Sequence, residues 1–146
     1  MLQLAGIVAV GVLSLAAVAA TEVQTRQFTT AFTAAADSQQ KAETLFQQVV
    51  QRPGGWTAQH SADMRTVASL FTTAADTLAA STAPAALVWY RDGLAANLRE
   101  AAAVASELAQ QTSGSSQATF DALATRWNKR IGDYEQLRDR LDAQTR

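Results

Sequence analysis

The stretch LSLAAVAATEVQTRQF, residues 13–28, decides the architecture, because the apolar part of the chain ends in it and the polar part begins without a helix breaker. Upstream, the apolar run reaches back to Leu2, and residues 2–20 carry no charge. Downstream, neither Pro nor Gly occurs before Pro53. As a helix, the run would be about 28 Å long, close to the ~30 Å of a bilayer's hydrocarbon layer. The stretch therefore predicts one helix that leaves a membrane and continues into a polar domain.

The same apolar run has two other interpretations. Residues 17–19 read Ala-Val-Ala, a site of the type at which secretory signals are cleaved, although residues 1–3 lack the usual Lys or Arg. A buried core helix would need more surrounding chain to cover it on every face. We therefore predict an uncleaved membrane anchor over residues 1–21. Its lipid contacts would come from Leu4, Ile7, Val10, Leu13 and Leu15.

Two sequence features bear on the side of the membrane that the body occupies. Arg26 is the first basic residue after the apolar run and none precedes the run, which mildly favours a cytoplasmic body. Against this, the body is rich in Thr, Ser, Gln and Ala and poor in Lys, a composition typical of exported bacterial domains. We give the composition more weight and predict a single-pass membrane protein with its body on the extracytoplasmic (periplasmic or cell-surface) side.

Apolar residues in the body recur in alternating steps of three and four, which indicates helices with one apolar stripe each. We predict four helices, at about 22–52, 58–81, 84–112 and 116–144, separated by Pro and Gly or Ser turns. Short turns make sequential helices antiparallel neighbours. The predicted fold class is all-α: an N-terminal transmembrane helix continuous with an up-down-up-down antiparallel four-helix bundle over residues 22–146.

The largest side chains on these stripes form the predicted core. Gln39 completes the stripe of the first helix as its one polar member. Reflection of the fourth helix about Gly114 places Trp127 opposite Ala101, so that a large side chain meets small ones. Gly93 and Gly132 interrupt helices, and close helix approach is the expected reason. The predicted core residues are Phe28, Phe32, Phe46, Phe71, Leu94, Leu98, Trp127 and Tyr134.

The sequence contains no motif for catalysis or cofactor binding. It has no Cys, which excludes disulfides, thiolate nucleophiles and Cys-based zinc or iron–sulfur sites. His60 is the single His, and with Asp63 it offers only two ligands, too few for a metal site. There is no Glu-x-x-His pair and no Gly-rich phosphate loop. With a net charge of -1, the chain has no field that attracts nucleic acid. We predict no enzyme activity, cofactor, metal or nucleic-acid partner.

Three residues are the predicted partner-binding positions. Trp56, in the turn sequence RPGGW, is either an aromatic anchor for a partner or a lid that folds back over the bundle end. Trp89 and Arg91 belong to the membrane-proximal end, where interfacial aromatics are favoured and where a second chain would also pack. The basic residues of the fourth helix, Arg130 among them, alternate with carboxylates, and we expect a solvent-exposed charged face there.

Together these features predict a non-enzymatic, membrane-anchored bundle that acts as a structural or accessory subunit. It would bind lipid through its first helix, and either a protein partner or further copies of itself, since heptad stripes also allow long helices to pair between copies. An anchor that runs into a four-helix bundle resembles the extracytoplasmic domains of bacterial chemoreceptors. That resemblance implies an alternative, a sensor-like bundle that binds a ligand. A second alternative is a secreted soluble bundle released by cleavage near Ala19.

Overall fold

The computed structural model describes residues 22–144 and 146, and this part of the chain is all-helical with no strand. Its helices are α1 (Glu22–Gln51), α2 (Ala58–Ala80), α3 (Val88–Ala109) and α4 (Gln117–Gln144). A single 3₁₀ turn, Ala85–Leu87, precedes α3. The prediction of an all-α helical bundle is therefore confirmed.

The predicted membrane anchor, residues 1–21, lies outside the described residues. Among the helices that the structure describes, none combines the length and the apolar character needed to cross a bilayer. The anchor, its five named side chains and the side of the membrane therefore stay predictions.

Side-chain contacts show how the helices run relative to one another. Arg52, just after α1, forms a 2.7 Å ion pair with Asp63 near the start of α2. Asn97 of α3 is hydrogen-bonded to Arg130 of α4, within one residue of the register that reflection about Gly114 predicts. Sequential helices are thus antiparallel. The backbones of α1 and α4 stay farther apart than those of sequential helices, and large side chains bridge the space between them.

The ends of the helices follow from local capping. Thr57 caps α2 through a capping box, in which its hydroxyl accepts from the N–H of His60 and its own N–H donates to His60 Nδ1. The predicted start of the third helix, residue 84, is four residues too early. Pro84 has extended backbone angles, and the N–H of Leu87 bonds to its carbonyl at 2.8 Å, so a tight 3₁₀ turn comes first.

The eight predicted core residues are all buried. At the centre, Trp127 has no exposed surface; its indole stacks on Phe46 with a centroid distance of 3.8 Å and meets Phe71 edge-on at 5.8 Å. Ala101 and Ala105 of α3 are also fully buried. The core therefore combines large side chains from α1, α2 and α4 with small ones from α3.

The two helix-interior glycines have different surroundings. A Cβ added at Gly93 would lie 2.7 Å from a terminal methyl of Leu137, so α3 and α4 do approach closely there. A Cβ at Gly132 would have no atom within 4 Å. Close helix approach therefore explains Gly93, and the same explanation for Gly132 is wrong.

Candidate functional site

Trp56 closes one end of the bundle, which we call the turn end because it is formed by residues 52–57 and 110–116. Its indole is 7% exposed and packs against the rings of Phe120 and His60. The indole N–H donates to Ser61 Oγ at 3.0 Å, and that hydroxyl donates to the carbonyl of Gln111 at 3.0 Å. Trp56 therefore takes the folded-back position that was the alternative to an exposed partner anchor.

The other two predicted partner-binding residues also make contacts within the bundle. The guanidinium of Arg140 lies 4.1 Å from the centroid of the half-buried Trp89 ring, whose indole N–H donates to the carbonyl of Ala86 at 2.9 Å. Arg91 Nη1 donates to the carbonyl of Ser81 at 2.9 Å and so satisfies a backbone acceptor at the end of α2. Binding of a partner by Trp56, Trp89 or Arg91 stays a prediction.

His60 and Asp63 are likewise committed to local contacts rather than to a metal. His60 Nδ1 accepts a hydrogen bond from the backbone N–H of Thr57 at 3.1 Å. Burial, with the nearby charge of Arg52, lowers the pKa of His60 against the opposing effect of Asp63. The hydrogen bond from Arg52 lowers the pKa of Asp63. No group of three metal-ligating side chains occurs in the described part of the chain.

The structure reveals a site that the sequence did not suggest, a set of four buried polar side chains that we call the polar cluster. It consists of Gln39 and Glu43 from α1, Asn97 from α3 and Arg130 from α4. Arg130 is only 2% exposed, so the expectation that it belongs to a solvent-exposed charged face is wrong. A signal was present, because Arg130 lies three residues after Trp127 and four before Tyr134, on the apolar stripe of α4.

Hydrogen bonds connect all four members of the polar cluster. Arg130 Nη2 donates to Glu43 Oε1 at 3.0 Å, and Arg130 Nε donates to Asn97 Oδ1 at 3.0 Å. The amide nitrogen of Asn97 donates in turn to the backbone carbonyl of Arg130 at 2.7 Å. Gln39 Nε2 donates to the same Glu43 oxygen at 3.1 Å. The cluster therefore holds both the side chain and the backbone carbonyl of Arg130, and with them this turn of α4.

Aromatic rings enclose the guanidinium of Arg130. It lies 4.6 Å from the Trp127 ring centroid and 5.3 Å from that of Phe71, distances at which a cation is attracted to the ring face. Burial lowers the pKa of Arg130, and the charge of Glu43 opposes that effect. An arginine side chain stays protonated in proteins, so the core holds a fixed positive charge. Glu43 and the two aromatic rings stabilise this buried charge.

The chemistry of the polar cluster favours a role in holding helices together. A guanidinium is too basic to accept protons in catalysis, and its one carboxylate neighbour, Glu43, is already hydrogen-bonded to Arg130 and Gln39. No hydroxyl, thiol or amine belongs to the cluster. Buried polar contacts of this kind can fix the register of packed helices, since any other register would leave a charge unpaired.

A groove of about 440 Å³ opens between α3 and α4 beside the polar cluster. Its floor includes Gly93 and Ala96, and its carboxylates are Glu100 and Asp133. Both carboxylates are already paired, Glu100 with Arg126 and Asp133 with Lys129. Both carboxylates of the groove are thus engaged by cationic side chains of α4.

Comparison with protein-family models finds no match, and comparison with curated proteins and with solved structures finds no significant similarity.

Proposed function

We propose that this protein is a non-enzymatic, membrane-anchored helical bundle that serves as a structural or accessory subunit on the extracytoplasmic side of a bacterial membrane. The observation that carries the proposal is the continuity of the chain. The uncharged apolar run of residues 2–20 stands directly before α1, which begins at Glu22, and no Gly or Pro occurs between Gly11 and Pro53. An anchor joined to α1 in this way would hold the bundle at a set distance from the bilayer.

Two properties of the described residues support a structural role over catalysis or ligand binding. The buried polar groups of the polar cluster are hydrogen-bonded to one another, and the two carboxylates that line the α3–α4 groove are paired with cations. A sensor-like bundle would need polar groups that are left free to meet a ligand. The contacts therefore favour the subunit over the sensor-like alternative.

The surface of the bundle restricts the kind of partner we propose. Among the described residues, Val23 at the start of α1 is the one large apolar side chain that is exposed, with 65% of its surface accessible. The surface of residues 22–144 therefore offers few of the large apolar side chains that obligate subunit contacts use. We therefore propose that association occurs through the anchor and the adjacent start of α1, or through polar faces of the bundle.

The absence of Cys from the sequence allows a direct test of the membrane arrangement. Ser113→Cys places one thiol in the exposed α3–α4 turn, and Gln3→Cys places one at the N-terminal end of the apolar run. In spheroplasts, a membrane-impermeant maleimide should label the Ser113→Cys variant and not the Gln3→Cys variant; after lysis it should label both. The membrane fraction should contain the protein with the mass of the full chain.

Each other result has a definite meaning. A protein in the soluble fraction whose mass is that of a chain beginning at Ala20 would refute the anchor and favour the secreted bundle. The reverse labelling pattern, with only the Gln3→Cys variant modified in spheroplasts, would place the bundle in the cytoplasm and refute the proposed orientation.

A further inference from the structure

Helix α4 is the least embedded helix of the bundle. Six of its 28 residues are buried, whereas eleven of the 22 residues of α3 are. Helix α2 has close backbone neighbours on two sides, α1 and α3, but the backbone of α4 comes close mainly to α3. The unit formed by α1, α2 and α3 is therefore more tightly joined within itself than it is to α4.

The attachment of α4 to α1 is concentrated on one turn. Trp127 stacks on Phe46 at 3.8 Å, and Arg130, one turn later, contacts Glu43 at 3.0 Å. Because the two backbones lie apart, these long side chains make the connection. One of the two contacts is apolar and the other is a buried ion pair.

We propose that α4 is a latch helix, which opens and closes as a unit against the α1–α3 unit, and that the contact of Arg130 with Glu43 and Asn97 controls the closed state. The latch would operate within residues 22–144, with or without a membrane anchor.

The reason lies in how a buried ion pair differs from an apolar contact. When α4 opens, Arg130 and Glu43 both regain water, and their hydration offsets part of the contact that is lost. An apolar pair of similar volume gains nothing of this kind from exposure. The ion pair therefore makes opening easier than an apolar seam would. In the closed state it also opposes slipped registers, because a shift of one turn would leave the Arg130 charge buried without Glu43.

Native-state hydrogen exchange of the full chain in mild detergent tests the proposal. In the wild type, the most protected amides of α4 should exchange at least about tenfold faster than the slowest amides of α2 and α3, as expected for a helix that opens on its own. Val67→Ala, a change in the fully buried part of α2, should speed exchange of α2 and α3 and leave α4 unchanged. If α4 is as protected as α2 and α3, or if Val67→Ala speeds all helices together, the bundle is one cooperative unit and the latch is refuted.

Two further variants test the role of the ion pair. Arg130→Met leaves Glu43 buried without its cation and should speed α4 exchange by about a hundredfold or more. The double variant Glu43→Leu/Arg130→Met replaces the pair with apolar side chains and should slow α4 exchange to the wild-type rate or below it. A double variant that exchanges as fast as Arg130→Met would show that the ion pair does not control the latch. A far-ultraviolet circular dichroism spectrum of each variant checks that it is folded.

Discussion

The central tryptophan gives the sharpest prediction about what stabilises this bundle. Trp127 has no exposed surface and makes three ring contacts, a stack on Phe46, an edge contact with Phe71 and a cation–π contact with Arg130 at 4.6 Å. We expect Trp127→Ala to remove all three and to leave a cavity where two helices are held together mainly by side chains.

The size of the effect follows from these contacts. Replacing a buried Trp or Phe with Ala costs about 3–5 kcal/mol in the free energy of unfolding. Loss of a desolvated cation–π contact, worth about 2 kcal/mol, raises the expected cost of Trp127→Ala to the upper part of that range, about 4–5 kcal/mol. Trp127→Phe keeps a ring against Phe46. It also removes the indole N–H, which has no hydrogen-bond partner among the described residues, so we expect it to cost only about 0–1 kcal/mol.

Urea unfolding of the full chain in mild detergent, followed by circular dichroism at the helix band, measures these differences. The matched control is Trp89→Ala. This residue is half-buried, and its replacement loses one exposed hydrogen bond and one cation–π contact, with an expected cost of about 1–2 kcal/mol. If Trp127→Ala costs no more than Trp89→Ala, the assignment of Trp127 to the centre of the core is refuted. If Trp127→Phe costs as much as Trp127→Ala, the indole N–H is satisfied in solution and its removal gives no relief.

Three smaller predictions concern the helix ends and interiors. Burial lowers the pKa of His60, so the unfolded chain binds a proton at a higher pH than the folded chain does. The free energy of unfolding should stay level above about pH 6.5 and fall as the pH drops from there to the lowered pKa. His60→Asn should abolish this fall in a pH series of urea unfolding curves. Gly132→Ala should raise the free energy of unfolding by about 0.5–1 kcal/mol, since open space surrounds the new methyl. Gly93→Ala should raise the free energy of unfolding by less, because a methyl of Leu137 must move to make room. Thermal melts of the two variants compare these effects. Arg91→Ala should lower the free energy of unfolding by about 1 kcal/mol through the lost bond to the end of α2, and an unchanged stability in the same melts would mean that Arg91 serves some other contact.

The helices of this protein are predictable from the sequence because their signals are local. Pro53 and the following glycines end α1, and the spacing of apolar residues identifies the buried face of each helix. The start of α3 was predicted four residues early for an equally local reason. Pro84 is compatible with the first turn of an α-helix, but its extended backbone begins a 3₁₀ turn instead, and nothing in the residue types distinguishes the two.

The polar cluster was missed because it depends on three helices that are distant in sequence. Glu43 and Arg130 are 87 residues apart, and each looks like an ordinary surface charge within its own helix. The position of Arg130 on an apolar stripe was visible, yet position alone does not show that an acidic partner exists across the bundle. The sequence places Gln39 on the stripe of α1, but it does not reveal the hydrogen bond from Gln39 to Glu43, four residues later. The partner of a buried charge can therefore be identified only when the packing of the helices is known, and the periodicity of the sequence does not reveal that packing.

The composition of the core explains why such a cluster is useful in this bundle. The seam between α2 and α3 is rich in alanine, with Ala74, Ala75, Ala101 and Ala105 all fully buried. Small side chains let backbones approach closely, but they present shallow ridges and oppose sliding only weakly. A buried cation opposes sliding strongly, because its charge is satisfied at one position only, and the polar cluster places this restraint on α1, α3 and α4. The alanines therefore bring α2 and α3 together, and Arg130, through Glu43 and Asn97, determines where α4 lies against α1 and α3.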